Sequence, residues 1–205
     1  MNKKIIHDAL ILTAFTLALG LILGVVYEIT KAPIAEANKA ATEAAYKEVF
    51  AEAASFEMQE FDKEKANQLV ADAGYSDTIN DVEAALDASG NTLGYVITVT
   101  AKDGSQGSIT FSVGIQNDGT VNGYSITEIA ETPGLGMKAE EEAFYSQFQK
   151  KKVDTFTVVK QAAAAENEIE AITGSTITSA AMANGCNAAI CYFQNGGLSE
   201  VSANE

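Results

Sequence analysis

The sequence predicts an α+β protein: a single N-terminal transmembrane helix, then a domain with an antiparallel sheet flanked by helices. Three features predict it. Residues 9–27 carry no charge and are mostly Leu, Ile, Ala, Val and Phe. Between residues 93 and 129, β-branched and aromatic runs alternate with turn residues, as strands joined by tight hairpins do. Residues 180–193 are apolar with helical character and open on a cluster of Thr, Gly and Ser.

The apolar run comes first. At about 1.5 Å per residue it extends roughly 28 Å, close to the hydrocarbon thickness of a bilayer. Tyr27 stands at its far end, where an interfacial aromatic is expected. The span is set at residues 8–29. Lys3 and Lys4 in the flank 1–7 put the N-terminus in the cytoplasm and the main domain outside it, by the positive-inside rule. Lys31 and Lys39 on the far side weigh slightly against that orientation. A cleaved signal peptide is the competing reading, and Ala35-Glu36-Ala37 has the look of a cleavage site. Its apolar region is normally only about 7–15 residues, so a retained anchor is favoured. Gly20 and Gly24 form a GxxxG in the span, a hint of a close helix partner in the membrane.

Residues 30–89 read as a juxtamembrane helical region. Residues 30–50 are Ala-rich, with Glu36, Lys39, Glu43 and Lys47 spaced along them, and a helix is expected to open at Pro33, since Pro suits a first turn. Residues 51–89 are acidic and weakly patterned, with helices expected at 63–73 and 81–87 and loops between.

The sheet signals follow. Tyr95-Val96-Ile97-Thr98-Val99-Thr100 is a strand, Lys102-Asp103-Gly104 a turn, and residues 108–115 alternate with period two. Asn117-Asp118-Gly119-Thr120 is a second turn before residues 121–129, so the segment predicts a three-stranded antiparallel meander. Glu131-Thr132-Pro133-Gly134-Leu135-Gly136 is a rigid, tight loop; by composition it is a strand-to-helix turn. Residues 138–150 are amphipathic, with Phe144, Tyr145 and Phe148 against Glu140, Glu141 and Glu142; such aromatics are more often core than a cofactor box. Residues 156–159 predict a strand. The C-terminal helix ends at Asn195-Gly196-Gly197, and residues 199–205 read as a frayed tail.

Composition excludes several function classes. Thirteen Lys face 28 acidic residues, for a net charge of −15. That argues against nucleic acid as a partner and against docking on anionic lipid by charge. The single His is His7, in the N-terminal flank, and there is no Arg. A Ser-His-Asp triad, a His-based zinc site and a guanidinium clamp on phosphate are therefore all unavailable to the main domain. No catalytic residue and no metal ligand is expected. Cys186 and Cys191, five apart on one helix, point roughly 140° apart, are poorly placed to bridge each other, and read as buried thiols.

The stretch Ile172-Thr173-Gly174-Ser175-Thr176-Ile177-Thr178 leaves free N–H groups at a helix entrance, where an anion is favoured. On spacing alone it is an N-cap. It also resembles the flavinylation motif, Ser/Thr-Gly-Ala-Thr-x-Thr/Ser, of the FMN-binding domain family, found in the G subunit of Rnf complexes and the C subunit of the sodium-pumping quinone reductase. Ser175 stands where that family usually has Ala. The Glu-Thr-Pro-Gly-Leu-Gly loop matches the family's second signature, and the glycine pattern of the meander is similar too. The resemblance covers residues 90–198 as an FMN-binding domain and the N-terminal third in outline.

The resemblance implies covalent FMN on Thr176 through a phosphoester, with Thr173, Gly174, Ser175 and Thr178 around the phosphate. It places Glu131, Thr132, Gly134 and Leu135 near the isoalloxazine ring. Lys138 is within reach, either favouring an anionic reduced flavin or simply solvated. It further implies an electron-carrier subunit of an Rnf-type ion-translocating ferredoxin:NAD oxidoreductase, without stand-alone enzyme activity. Its partners would be the other membrane and peripheral subunits, a flavin transferase for maturation, and membrane lipid. The C subunit of a quinone reductase, and a flavin-free tethered binding module, are the rival readings.

Overall fold

The computed structural model describes residues 3–196 and residue 198; the frayed tail expected at 199–205 lies outside the described residues. The chain divides after Ala41 into two compact units.

The first unit is helical and belongs to α1, Lys3–Val49. Among the described residues this is the one helix long and apolar enough to cross a membrane, and its most apolar window is entirely exposed. Its apolar stretch pairs its threonines within the helix: the hydroxyls of Thr13, Thr16 and Thr30 donate to the carbonyls of Ala9, Leu12 and Val26 at 2.8, 2.8 and 2.9 Å. An apolar medium requires that internal pairing. Pro33 lies inside α1 and does not open a new helix. The Ala-rich sequence that follows it helps carry the helix past the missing N–H donor.

The second unit holds a five-stranded sheet in sequence order. Its strands are β1 (Ser55–Met58), β2 (Thr78–Leu86), β3 (Thr92–Ala101), β4 (Ile109–Gln116) and β5 (Val121–Glu128), each antiparallel to the next. β3 to β5 are the expected meander. β1 and β2 are additional, and β2 occupies the stretch expected to be helical at 81–87. Glu83, Ala84, Ala85 and Leu86 favour a helix in isolation. Pairing with β3 overrides that preference, and Val82 and Ala85 are wholly buried. The boundary expected at residue 90 thus falls between two strands of one sheet. The helix expected at 63–73 is α2, Lys63–Asp72, whose N-cap Asp62 accepts the Lys65 N–H at 3.1 Å.

One sheet face packs on the C-terminal helix α4, Thr176–Asn195. Ile97, Val99, Phe111, Val113 and Ile115 meet Met182, Cys186, Ala189 and Ile190 there, in one apolar core. Cys186 is buried, Cys191 half-buried, and both are free thiols; burial pushes the Cys186 thiol well up. The other sheet face is covered by Tyr46, Val49, Phe50 and Ala53. Gly114 permits that approach, since a Cβ there would stand 2.8 Å from Val49 Cβ.

The amphipathic stretch 138–150 is not one helix. A 3₁₀ turn at Gly136–Glu140, the short α3 at Glu142–Tyr145 and a 3₁₀ turn at Ser146–Phe148 take its place. The Tyr124 hydroxyl donates to the Ala139 carbonyl at 2.7 Å, and Glu141 is extended, which breaks the helix there. The aromatics are core, as expected: Phe148 stacks edge-on against Tyr124, Phe144 and Phe156.

β6 (Thr157–Val159) and β7 (Glu168–Glu170) form a separate parallel pair. Two side-chain amides grip this ribbon. Asn187 accepts the Phe156 N–H at 2.6 Å and donates to the Phe156 carbonyl at 3.0 Å. Gln147 accepts the Glu170 N–H at 2.7 Å and donates to the Glu170 carbonyl at 3.3 Å.

Candidate functional site

The chain approaching α4 is anchored residue by residue. The Ala171 N–H donates to the Val159 carbonyl at 2.8 Å, the Ile172 N–H to Ser179 Oγ at 3.0 Å, and the Ser175 N–H to the Ile172 carbonyl at 2.9 Å. Gly174 makes the turn with φ of 81°, a conformation that other residues adopt only with strain. α4 then starts at Thr176.

The hydroxyls of this turn do different things. Ser175 is the residue before the helix, yet its side chain makes no capping bond. It is buried and shares a 2.8 Å hydrogen bond with the buried Thr178 hydroxyl. The Ser179 hydroxyl donates to the Ser175 carbonyl at 2.9 Å. Thr173, Gly174 and Thr176 are exposed. The ordinary role expected for such a cluster, a hydroxyl cap, is therefore not the one it plays. The N-terminal end of α4 thus has no side-chain cap on its first-turn N–H groups, and the exposed Thr176 stands at that end of the helix dipole.

The second loop is folded against this turn. The Leu135 and Met137 N–H groups both donate to the Thr132 carbonyl, at 3.1 and 3.3 Å. Gly134 has φ of 75°. Thr132, Gly134 and Leu135 are exposed and Gly136 is buried. A Cβ built on Gly136 would lie 2.6 Å from Glu131 Oε2 and 2.9 Å from Thr178 Oγ1; one on Gly174 would lie 3.4 Å from Leu135 Cδ2. The two signatures, some 40 residues apart in sequence, thus meet in space.

Glu131 faces inward. Only 5 % of it is exposed, and Oε1 accepts the Ser105 and Gln106 N–H groups at 2.6 and 3.3 Å. It ties the turn after β3 to the root of the Thr132–Gly136 loop. Lys138 is half-buried and stands on one wall of a cleft of about 530 Å³. Glu141, Phe144 and Gln147 continue that wall, and Glu170, Ile172 and Thr173 form the opposite one. Gln147 and Glu170 carry no motif and were missed in the sequence. Leu135 and Ile177, 44 % and 60 % exposed, are large apolar side chains left open beside Thr176.

A sheet crossed by one C-terminal helix, with a hydroxyl-glycine turn at that helix's start and a Gly-Leu-Gly loop against it, defines a domain of the FMN-binding type. The family model described as the FMN-binding domain matches residues 104–191, and one described as the RnfG N-terminal region matches residues 1–49. The G subunit of the Na⁺-translocating ferredoxin:NAD⁺ oxidoreductase complex of Acetobacterium woodii is 33% identical over 196 residues, 94% of this chain and 93% of that one. The G subunit of the proton-translocating ferredoxin:NAD⁺ oxidoreductase complex of Clostridium ljungdahlii is 42% identical over 99 residues, 48% of this chain and 52% of that one. The fold is shared with the crystal structure of Shewanella oneidensis NqrC, at a TM-score of 0.50 and 19% identity over 61% of each chain. The chain belongs to the RnfG family, the G subunits of ion-translocating oxidoreductase complexes.

Proposed function

We propose that this chain is the membrane-anchored electron carrier of an Rnf-type ion-translocating ferredoxin:NAD oxidoreductase, with FMN joined through its phosphate to Thr176. The observation that carries the reading is the division of labour among neighbouring hydroxyls. Ser175 and Thr178 are buried and bonded to each other. Thr176 is exposed at the uncapped start of a 20-residue helix. A phosphate on Thr176 Oγ1 would face the free N–H groups of the first turn and the positive end of the helix dipole, so the site needs no Arg.

Bound there, the flavin supplies the redox chemistry, and the protein supplies position and environment. Leu135 and Ile177 offer apolar surface beside the attachment point. Lys138 and Thr173 bring a cation and a hydroxyl to the adjoining cleft. A negative charge developing in that cleft would be stabilised by Lys138 through simple Coulomb attraction. Glu131 holds the root of the signature loop through the Ser105 and Gln106 N–H groups.

Attachment requires a separate flavin transferase. The Thr176 oxygen takes the FMN phosphoryl group from FAD, AMP leaves, and the hydroxyl proton leaves with it. α1 anchors the chain in lipid, with Lys3 and Lys4 on the cytoplasmic side and the domain outside. The remaining membrane and peripheral subunits would supply the electron donor and acceptor. A net charge of −15 leaves no place for nucleic acid.

The test is co-expression with a flavin transferase in the same compartment, followed by denaturation. Flavin fluorescence should travel with the chain on a gel, and the peptide containing Thr176 should carry the mass of FMN less water. Thr176→Val should be dark. A dark wild-type band, beside a labelled control acceptor in the same cells, would overturn the assignment.

A further inference from the structure

We propose that Gln147 is a positioning residue for the attachment turn: its amide fixes the backbone at Glu170 and so sets where Thr176 presents its hydroxyl. This inference rests on the flavin reading above for its functional half, while its structural half stands alone.

The argument begins with the ribbon. β7 has β6 on one edge. Its other edge would be open at Glu170, where an unpaired N–H and carbonyl would leave the strand end free to move. Gln147 fills that edge. Its Oε1 accepts the Glu170 N–H at 2.7 Å and its Nε2 donates to the Glu170 carbonyl at 3.3 Å, which is how a neighbouring strand would pair. Asn187 makes the same two-point grip on Phe156, at the start of β6. The ribbon is thus held at both ends by side-chain amides, one from α4 and one from the 3₁₀ turn Ser146–Phe148.

The two grips are placed differently. Asn187 is buried in the core, 5 % exposed. Gln147 is half-buried on the wall of the cleft that also holds Lys138 and Thr173. Glu170 is followed at once by Ala171 and Ile172, whose N–H groups are already committed, and then by the exposed Thr173 and Gly174. Gln147 therefore joins the two walls of the cleft and fixes the last strand residue before the turn.

The isosteric Gln147→Glu variant makes the latch switchable. In its protonated form the introduced carboxyl accepts the Glu170 N–H and donates to the Glu170 carbonyl, so both bonds survive. In its ionised form the donor is gone and a carboxylate oxygen faces a carbonyl oxygen. The half of the latch that holds the Glu170 carbonyl is present at low pH and lost as pH rises through the folded-state pKa of that carboxyl, which this pairing raises above the ordinary value of about 4.3, while the Glu170 N–H keeps an acceptor at every pH. The charged groups lining the same cleft are Lys138, Glu141 and Glu170; they are common to wild type and variant, so the comparison isolates the introduced group.

The experiment uses the full chain in detergent, before and after flavin loading. Amide hydrogen exchange should show Glu170 and Ala171 protected in the wild type at pH 5.5 and pH 8. In Gln147→Leu that protection should fall about tenfold or more, with β3 and β4 unchanged. In Gln147→Glu the Ala171 N–H, in the same peptide unit as the released Glu170 carbonyl, should lose protection at pH 8 and regain it at pH 5.5, after correction for intrinsic exchange. The rate of flavin attachment at pH 8 should drop roughly tenfold in both variants, the scale on which a small misplacement of a reacting group is felt. If Gln147→Glu matches wild type at both pH values in exchange and attachment, the proposal is overturned. Should Gln147→Leu fail to fold, the pH response of Gln147→Glu still decides. Should the wild type accept no flavin, the functional reading fails, while exchange on the unmodified chain still tests the latch.

Discussion

Gly136 and Thr178 lie against each other with no room between them. A Cβ on Gly136 would stand 2.9 Å from Thr178 Oγ1, with Glu131 Oε2 at 2.6 Å on its other side. The glycine is what lets the signature loop and the start of α4 share one surface, and through Glu131 the contact continues to the turn at Ser105 and Gln106.

Gly136→Ala should therefore separate the two loops. The added methyl group meets a buried carboxylate and a buried hydroxyl, neither of which can yield without giving up its hydrogen bond. A cost of about 1–3 kcal/mol is expected from overpacking of this kind, measured as a lower urea midpoint. Flavin attachment at Thr176 should fall with it. An alanine variant of wild-type stability and wild-type labelling would show that the loops tolerate separation.

Gly185 poses the opposite question of sign. Within a helix, Gly→Ala ordinarily stabilises by about 1 kcal/mol. Here a Cβ would approach Phe111 Cε1 to 3.0 Å, with Cζ closer still, and Phe111 is wholly buried in the core. The expected cost of moving that ring, about 1–3 kcal/mol, outweighs the gain in helix propensity. Gly185→Ala should lower the thermal midpoint; a rise would mean that α4 can lift from the sheet at little cost.

The meander of β3 to β5 was legible because residues 95–100 are β-branched and aromatic, residues 108–115 alternate, and each turn is marked by Asp-Gly. β2 was not, because it is covered on both faces and its Glu83-Ala84-Ala85-Leu86 run has the local preferences of a helix; only pairing with β3 decides it. Residues 138–150 misled for a related reason. Their aromatic spacing fits a helix, and the break at Glu141 depends on Tyr124, which lies in another strand, taking the Ala139 carbonyl. Both site loops could be recognised as motifs, but their contact through Gly136 is tertiary. Gln147 and Asn187 left no trace in the sequence, since an amide pairing with a distant backbone has neither period nor fixed spacing.

Ser175→Ala isolates the role of the buried hydroxyl. If Thr176 is the acceptor, labelling should persist in Ser175→Ala and vanish in Thr176→Val. The Ser175–Thr178 bond is internal, so its loss should cost about 0.5–1.5 kcal/mol, read from urea unfolding of the unlabelled chain. Loss of labelling in Ser175→Ala, in a variant that keeps its fold, would move the attachment to the other hydroxyl.

Asp77 should give the fold a pH dependence of its own. It is 5 % exposed, and neither carboxylate oxygen has a hydrogen-bond partner. Burial, with the charge of Asp103 adding to it, raises its pKa to about 6; the backbone N–H groups of Asp77 itself and Lys102, near the carboxylate but outside hydrogen-bond geometry, and the Lys102 charge oppose the rise without cancelling it. In the unfolded chain the value returns to near 3.8. Between these two values the folded state holds more protons than the unfolded state, so stability falls as pH rises from about 4 to about 6 and then levels off. The loss is on the order of 3 kcal/mol. Asp77→Asn removes the charge that must be buried, and at pH 7.5 it should be more stable than wild type by on the order of 1 kcal/mol. Its urea midpoint should also change less between pH 5 and pH 7. The same pH slope in wild type and variant would show that Asp77 does not titrate in this range, and would turn attention to Glu83, whose carboxyl burial also raises.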